Sequence, residues 1–516
     1  MKKLSIIFIS IVIVLLTGCQ HKLLDSSSSN ENNKDTRQDE NGTIHHHMHQ
    51  NESDAQPMKE RIHENEDTHR NHHMQMMGQE QTLQSSTGEN ELIVPPLLEP
   101  IKQSNDDVYY KIEAKEGKTE IFPNTKTNTL GYNGDFLGPA IRVQKGQNAH
   151  IAFKNSLKED TTVHWHGLIV GGSADGGPHD VIQPGEERDI TFKVQQEEAT
   201  LWFHPHPLGK TAKQVYEGLA GLLLIEGKYD EQFLYGKNDF PLIIQDKTFT
   251  ESYQLDYASA YHPNGTIGNT ILMNGTINPK LTVPKEKIRL RLLNGSNTRS
   301  YTFSFSNKMS FEQIASDGGL LNEPMKMEAM TLAPAERAEI IADFSKMNDD
   351  VNLMAGEDIV VLPIHLKDKK SKNIAHPLDP AERVTITEEE KNLAVSKHIE
   401  LFGMGPHVTI NGKKFDPERI DFTQDKGVTE IWEVYNKPDM VGTLHPFHIH
   451  GTQFKIVSIN GEKPPAHLQG YKDTISLQPG DKAKIAVKFE EPGVYMYHCH
   501  ILEHEDNGMM GQVQVQ

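Results

Sequence analysis

The chain of 516 residues is long enough for about three domains of ordinary size. Its 72 acidic and 52 basic residues give a formal net charge of -20, which argues against nucleic acid as a partner, because phosphate binding needs clustered Lys and Arg. The 27 histidines and 18 methionines are abundant, and both side chains bind soft or borderline transition metals.

The N-terminus has the form of an export signal. Two lysines precede a short apolar stretch over residues 4–16, which is too brief for a comfortable membrane span. The stretch ends in Leu-Thr-Gly-Cys at residues 16–19, which resembles the lipobox of bacterial lipoproteins. We therefore predict a signal peptide over residues 1–18 and lipidation of Cys19, which would anchor the protein to the membrane on its extracytoplasmic side. The alternative is an uncleaved anchor helix.

Residues 19–104 are predicted to form a disordered tether. They contain many Ser, Asn, Asp, Glu and Gln residues and few apolar ones that a core could bury. Within the tether, residues 45–49 read His-His-His-Met-His and residues 72–77 read His-His-Met-Gln-Met-Met. These tracts either capture copper loosely or are only a polar spacer of biased composition.

From about residue 105 the pattern changes to short segments of alternating polarity between Gly, Pro and Asn residues. A period of two with such turn signals predicts half-buried strands in sandwiches or barrels. A turn motif recurs at intervals of about 150 residues, as Gln-Pro-Gly-Glu at 183–186, Ala-Pro-Ala-Glu at 333–336 and Gln-Pro-Gly-Asp at 478–481. The prediction is an all-β protein. Its three related domains are expected at residues 105–230, 238–385 and 395–516.

Four His-x-His pairs carry the first chemical signal. They are His164/His166, His204/His206, His448/His450 and His498/His500. Side chains at i and i+2 of a strand face the same side, so each pair directs two imidazoles one way. Two pairs fall in the first predicted domain and two in the third. Eight imidazoles that meet between two related domains are too many for one metal ion but suit a cluster of three.

The last segment predicts a second metal site. Cys499 lies between two histidines, so its side chain faces away from theirs. His445 precedes it in the same predicted domain, and His504 and Met509 follow it. Two His, one Cys and a weak axial Met form the ligand set of a blue-copper electron-transfer centre. An electron that enters at the thiolate site would have a short bonded path through the flanking histidines to the cluster.

These segments together resemble the four copper signatures of the multicopper oxidases. The matching motifs are His164-Trp165-His166-Gly167, His204-Pro205-His206, His445-Pro446-Phe447-His448-Ile449-His450-Gly451, and His498-Cys499-His500 continuing to His504 and Met509. The resemblance covers roughly residues 105–516 and is nearest to the branch that contains bacterial cuprous oxidases and bacterial laccases. It implies cupredoxin-like Greek-key domains and four coppers per chain.

The resemblance also implies a role for each position. Type 1 copper would be held by His445, Cys499, His504 and Met509. Type 2 copper would be held by His164 and His448. The two type 3 coppers would be held by His166, His204 and His500 and by His206, His450 and His498. Asp175 and Glu505 stand where the family has acids that feed protons to the oxygen site; the alternative for each is an ordinary loop carboxylate.

The expected activity is the oxidation of four donor molecules, one electron each, coupled to reduction of dioxygen to two waters. The expected donors are Cu(I), in copper homeostasis, and small phenols or aromatic amines. No Met-rich stretch like that of a cuprous oxidase occurs between residues 350 and 440, although Asp439 and Met440 precede His445. The alternatives are a ferrous or manganous oxidase and a non-catalytic copper-storage protein. A structural protein of the same fold is disfavoured because all twelve ligand positions are filled.

Overall fold

The computed structural model describes residues 82–368 and 387–516. Within these ranges strands are the dominant secondary structure, which confirms the all-β prediction. The described helices are short and occur in connections: α1 (Gly172–Asp175), α2 (Thr211–Glu217), α3 (Tyr257–Ala260), α4 (Glu388–Lys391) and α5 (Leu502–Asp506), with 3-10 turns at Asp230–Gln232, Gly405–His407 and Ala466–Leu468. None of the helices in the described ranges combines the length and apolar character that crossing a membrane requires.

The first domain packs two sheets around one core. In the described part of the chain the first ten strands are β1 (Asn90–Glu91), β2 (Lys102–Gln103), β3 (Asp107–Thr119), β4 (Thr127–Tyr132), β5 (Ala140–Gln144), β6 (Asn148–Asn155), β7 (His164–His166), β8 (Glu187–Lys193), β9 (Ala199–His204) and β10 (Gly221–Glu226). One sheet has the order β2-β3-β6-β8, with β4 also paired to β3, and the other has the order β5-β10-β9-β7. Strand β6 alternates strictly between half-buried and buried residues, as its sequence predicts.

The second domain has two larger sheets. Its strands are β11 (Asp239–Lys247), β12 (Thr270–Met273), β13 (Thr276–Ile277), β14 (Pro279–Pro284), β15 (Lys287–Asn294), β16 (Tyr301–Phe305), β17 (Phe311–Ser316), β18 (Gly319–Met327), β19 (Ala329–Leu332), β20 (Arg337–Asp343), β21 (Val351–Ala355) and β22 (Ile359–Lys367). The sheet orders are β13-β12-β11-β15-β20-β17-β18 and β1-β14-β22-β21-β16-β19.

The third domain repeats the two-sheet plan. Its strands are β23 (Val395–Phe402), β24 (Thr409–Ile410), β25 (Phe422–Gln424), β26 (Glu430–Asn436), β27 (His445–Ile449), β28 (Phe454–Ile459), β29 (Tyr471–Lys472), β30 (Thr474–Leu477), β31 (Lys482–Val487), β32 (Gly493–Cys499) and β33 (Met510–Val515). The sheet orders are β24-β23-β26-β31-β28-β29 and β25-β33-β32-β27-β30. The His-x-His pairs lie at or just beyond strands of this second sheet and of the β5-β10-β9-β7 sheet.

The prediction of a disordered tether is wrong for its last part, residues 82–104. This segment is bound to two domains: β1 pairs with β14 of the second domain, and Leu97 bridges to Ala140 of the first. Leu92 joins the buried core of the second domain. Its apolar side chains are few, but Leu92 is buried by residues of the second domain far along the chain. The predicted signal peptide, Cys19 and the two His/Met tracts lie outside the described residues.

Candidate metal centre

Strand pairing brings the histidine pairs side by side. In the first domain β7 and β9 run antiparallel, and His164 lies opposite His204. In the third domain β27 and β32 run antiparallel, and His448 lies opposite His498. Each domain therefore presents its imidazoles from two adjacent strands of one sheet, which a period of two predicts.

The imidazoles of the two domains meet in one buried cluster. All eight side chains of the four His-x-His pairs are buried. Across the domains, the rings of His164 and His450 stack with centroids 3.7 Å apart, and so do those of His166 and His448. Ligand atoms lie within 4.8 Å of one another in four overlapping sets: His164/His448/His450, His164/His166/His204, His206/His450/His498 and His166/His448/Asp473.

His500 is the one member of the eight that falls in none of these sets among the described residues. Its ring centroid lies 5.0 Å from that of His166 and 5.5 Å from that of His204. Neither of its ring nitrogens has a hydrogen-bond partner in the described part of the chain. The side chain therefore borders the cluster with both nitrogens free.

Two aspartates orient histidine rings at the outer edges of the cluster. Nδ1 of His164 donates to the main-chain oxygen of Asp175 (3.0 Å), and Nδ1 of His450 lies 2.7 Å from its carboxylate. Asp473 does the same for the opposite stack: its main-chain oxygen accepts from His448 Nδ1 (2.8 Å), and its carboxylate lies 3.0 Å from His166 Nε2. Each bond holds one ring nitrogen and turns the other towards the cluster, as outer partners of metal-binding histidines do.

The donor set fits a cluster of metal ions. Nε2 of His164 and Nε2 of His448 are buried without a hydrogen-bond partner within the described ranges. Nε2 of His498 lies 3.2 Å from Nε2 of His206 and 3.0 Å from Nε2 of His450, so three ring nitrogens converge. Buried polar atoms normally have partners, and neutral imidazoles with free lone pairs are transition-metal ligands. Burial also lowers the pKa of these histidines below the usual value, which keeps them neutral.

A second site lies on the other side of Cys499. Its sulfur lies 3.3 Å from Nδ1 of His445 and 3.7 Å from Nδ1 of His504. N and S ligands held about 2.0 and 2.3 Å from one ion at roughly 100–120° would be about 3.3–3.7 Å apart. Nε2 of each of these two histidines is buried without a partner among the described residues. Burial raises the pKa of the thiol, so a cation is needed to make thiolate the stable form.

Met509 lies next to Cys499 in the core of the third domain. Its side chain is fully buried in the core cluster that also contains Cys499. Its main-chain oxygen accepts from the backbone N–H of Cys499 at 3.2 Å. Met509 is thus a neighbour of Cys499 in this core, and its role as an axial ligand stays a prediction from the sequence.

The two predicted acids both border the cluster. Asp175 contacts His164 and His450, and its Oδ1 has no hydrogen-bond partner in the described ranges. Glu505 lies 3.3 Å from Nε2 of His206 and 3.4 Å from Nδ1 of His498. Burial raises the pKa of both carboxyl groups, with further raising by Asp180 and Asp506 respectively. A buried acid with a raised pKa beside a reactive site can carry a proton.

Asp473 is the site residue that the sequence analysis missed. It is a single acid between a lysine and a threonine, and no spacing rule links it to His166, 307 residues away. The only available signal is an acidic residue next to the buried strand β30. Charges of this kind are buried only when they are paired.

Comparison with known proteins finds matches in all three domains. Family models with the description "Multicopper oxidase" match residues 113–230, 239–358 and 376–516. The chain is 52% identical over 437 residues to "Multicopper oxidase mco" of Staphylococcus epidermidis, covering 84% of this chain and 94% of that relative.

Two solved structures extend the comparison to three dimensions. A laccase from Pediococcus acidilactici is 43% identical, with a TM-score of 0.81, over 85% of this chain and 96% of its own. A multicopper oxidase from Campylobacter jejuni, described as a metallo-oxidase, is 30% identical, with a TM-score of 0.72, over 85% and 98% respectively.

Proposed function

The chain belongs to the multicopper oxidase family, and from that premise we propose that it oxidises Cu(I) and small phenolic or aromatic amine donors in copper homeostasis outside the cytoplasm. The family resemblance and the cupredoxin-like fold are confirmed by these relatives. The protein is a copper oxidoreductase with dioxygen as electron acceptor and with type 1, type 2 and type 3 copper.

The proposed ligand roles are those that the family resemblance implies, and two side-chain clusters support them, His206/His450/His498 and His445/Cys499/His504. Type 1 copper is assigned to His445, Cys499, His504 and Met509; type 2 to His164 and His448; type 3 to His166, His204 and His500 and to His206, His450 and His498. The observation that carries the assignment is Cys499, whose sulfur faces His445 while its neighbour His498 faces the eight-imidazole cluster. When bound, copper supplies one-electron chemistry that joins four donor oxidations to the reduction of dioxygen to two waters.

In this proposal Asp175 and Glu505 transfer protons at the cluster. Asp175 contacts His164, which is assigned to type 2 copper, and His450, which is assigned to a type 3 copper. Glu505 lies close to His206 and His498, which are both assigned to that same type 3 copper. Burial raises the pKa of both carboxyl groups, which favours their protonated form, so either acid can supply a proton at the cluster.

Cu(I) as a donor is supported by the loop before His445. Met440 is 98% exposed and offers a soft thioether to the solvent. Its neighbour Asp439 lies near enough to His445 to raise the pKa of that imidazole, although burial outweighs this and lowers it to about 4. One Asp439 oxygen accepts from Val441, Gly442 and Thr443 N–H groups, which fixes the loop.

Phenolic donors are supported by the lack of a Met-rich cover. The sequence has no Met-rich insertion between residues 350 and 440 that would cover the type 1 site. The axial Met509 favours a modest potential, so easily oxidised donors are preferred. The two solved relatives carry the words laccase and metallo-oxidase in their descriptions, and each is consistent with one of the two donor classes.

The location and the tether complete the proposal. Export by the signal peptide over residues 1–18 and lipidation of Cys19 place the oxidase at the membrane surface. The His/Met tracts within residues 41–80 then capture copper near the enzyme.

Substituting Cys19→Ser should release the protein from membranes, and continued attachment would contradict the anchor. Unchanged Cu(I) oxidation after deletion of residues 41–80 would remove the tracts from the proposal.

The central test is the visible absorption and oxygen uptake of copper-loaded protein supplied with Cu(I) and then with a simple phenol. The expected result is a blue thiolate band with oxygen uptake that leaves no peroxide, and the faster donor ranks the two substrates. Rapid uptake with Fe(II) or Mn(II) alone would favour a ferrous or manganous oxidase. Copper binding without a blue band or oxygen uptake would favour storage.

A further inference from the structure

The second domain reaches the copper cluster although it contributes none of the assigned ligands. Arg337, at the start of β20, makes guanidinium hydrogen bonds to Thr200 of the first domain and Asp473 of the third. Nη1 donates to one carboxylate oxygen of Asp473 and Nη2 to the other, both at 2.7 Å. Both side chains are completely buried. This two-pronged pair is the strongest geometry available to an arginine and a carboxylate.

Asp473 in turn orients two assigned ligands, His166 for a type 3 copper and His448 for type 2 copper. Its carboxylate holds Nε2 of His166, and its main-chain oxygen holds Nδ1 of His448. The opposite ring nitrogens are left for metal: Nδ1 of His166 lies 3.4 Å from Nε2 of His204, and Nε2 of His448 has no partner in the described ranges. The orientation of both rings thus depends on where Asp473 is held.

Arg337 is itself fixed on every side. Nε donates to the main-chain oxygen of Thr200 in the first domain (3.1 Å). Nη1 also donates to Ala335 O (3.2 Å) and Nη2 to Asp317 O (3.0 Å). A Cβ at Gly167 would lie 2.3 Å from Asp473 Oδ2 and 2.6 Å from Arg337 Nη2, so the residue after His166 must be glycine for the pair to fit.

In the described ranges no arginine pairs with the aspartate of the opposite stack, that of His164 and His450. Asp175 makes the same two contacts, one through its carboxylate and one through its main chain, to His450 and His164. Its second carboxylate oxygen has no hydrogen-bond partner within the described ranges. The two aspartates therefore have matching positions but unequal restraint, and the difference is the side chain supplied by the second domain.

We propose that Arg337 is a positioning residue of the copper cluster, through which the second domain fixes Asp473 and thereby the metal-facing orientation of His166 and His448. The inference rests on the proposed ligand assignment. Loss of an outer partner of a metal ligand typically lowers metal affinity or activity about 10–100-fold. Here the loss falls on the cluster alone, since Arg337 makes no contact with the residues around Cys499 in the described ranges.

The test compares Arg337→Lys with Arg289→Lys. Arg289 is an equally buried arginine on the neighbouring strand β15, paired with Asp239 and Asp230, and it touches no assigned ligand. Both substitutions keep a positive charge but remove the two-pronged geometry. Copper content per chain, the blue band and the electron paramagnetic resonance signal of type 2 copper are measured at increasing copper concentration, with thermal unfolding of the metal-free proteins.

Arg337→Lys is expected to keep the blue band, to need about 10–100-fold more copper to fill the cluster, and to alter the type 2 signal. Arg289→Lys is expected to lower the unfolding temperature, with the copper requirement and the type 2 signal of the wild type. Wild-type affinity and an unaltered type 2 signal in Arg337→Lys would overturn the inference, as would the same copper defect in both variants. If the wild-type protein itself binds no cluster copper, the ligand assignment fails instead.

Discussion

Nδ1 of His450 lies 2.7 Å from the carboxylate of Asp175, although 275 residues separate them along the chain and they belong to different domains. The main-chain oxygen of the same aspartate accepts from Nδ1 of His164. One residue of the first domain thus orients a histidine from each of the two domains that form the cluster. It also keeps one carboxylate oxygen without a hydrogen-bond partner in the described ranges.

Substituting Asp175→Asn separates these two roles. The amide oxygen can still accept from His450, so copper binding should remain, but the side chain can no longer carry a proton. We expect turnover with dioxygen to fall by about 10²–10⁴-fold, the usual contribution of a general acid or base. In the absence of oxygen, the donor should reduce the type 1 copper, followed as loss of the blue band, at the same rate as in the wild type. Stopped-flow absorption with and without oxygen measures both steps.

The matched control is Asp180→Asn. Asp180 is a neighbouring acid whose carboxylate accepts from the backbone N–H of Gly176 and contacts none of the assigned ligands in the described ranges. Its charge raises the pKa of Asp175, but Asp180→Asn leaves the Asp175 carboxyl able to carry a proton, so turnover should stay within a few-fold of the wild type. If Asp175→Asn also retains turnover within a few-fold, Asp175 only orients histidines and the protons arrive by another route.

Cys499→Ser tests the electron entry site. The oxygen of serine is a poor replacement for a soft thiolate, so the blue band should disappear and the copper content should fall by one ion per chain. Oxidation of every donor should fall to the background rate, while the type 2 signal of the cluster remains. Absorption, metal analysis and oxygen uptake on one preparation check all three expectations.

Met509→Leu is the comparison for this change. Removing the axial thioether should leave the blue band and raise the reduction potential of the site, because the axial ligand tunes it. A Cys499→Ser protein that stays blue, or a Met509→Leu protein whose potential is unchanged, would contradict the assignment of these two ligands.

Stability of the metal-free protein should fall as the pH falls below about 6.5. Burial lowers the pKa of the cluster histidines well below 6.5, and that of His204 to about 3. In this window the unfolded chain binds protons that the folded chain excludes, so stability rises with pH and is lost on acidification. Each such histidine contributes up to about 1.4 kcal/mol per pH unit. Urea unfolding between pH 7.5 and 5 measures the slope, and a flat profile would mean that these histidines are protonated in the folded state.

Local spacing was sufficient to predict much of the site. The period of two in a strand places His164 beside His166, and it places Cys499 on the face opposite to His498. It contains no information about Arg337 and Asp473, because these residues meet only when separate domains pack together. Long-range packing therefore supplies the outer restraint of the cluster, which no motif in the sequence describes.

The same reason explains the error at residues 82–104. A segment with few apolar residues has no core of its own, and its composition alone predicts disorder. Leu92 is nevertheless 9% exposed because strands of the second domain cover it, while the adjacent Ile93 is 59% exposed. The segment takes its order from surfaces that are built by residues far along the chain.

The variants Leu92→Ala and Ile93→Ala test whether this difference in burial affects stability. Truncating a buried leucine typically costs about 2–5 kcal/mol, so Leu92→Ala should lower the free energy of unfolding by at least about 2 kcal/mol. Ile93→Ala removes a similar side chain from the solvent-exposed side and should change it by less than about 0.5 kcal/mol. Urea unfolding of the metal-free variants gives both values without any effect of copper binding. Equal and small effects would mean that the segment does not belong to the second core, and that the tether continues to residue 104 as its composition predicts.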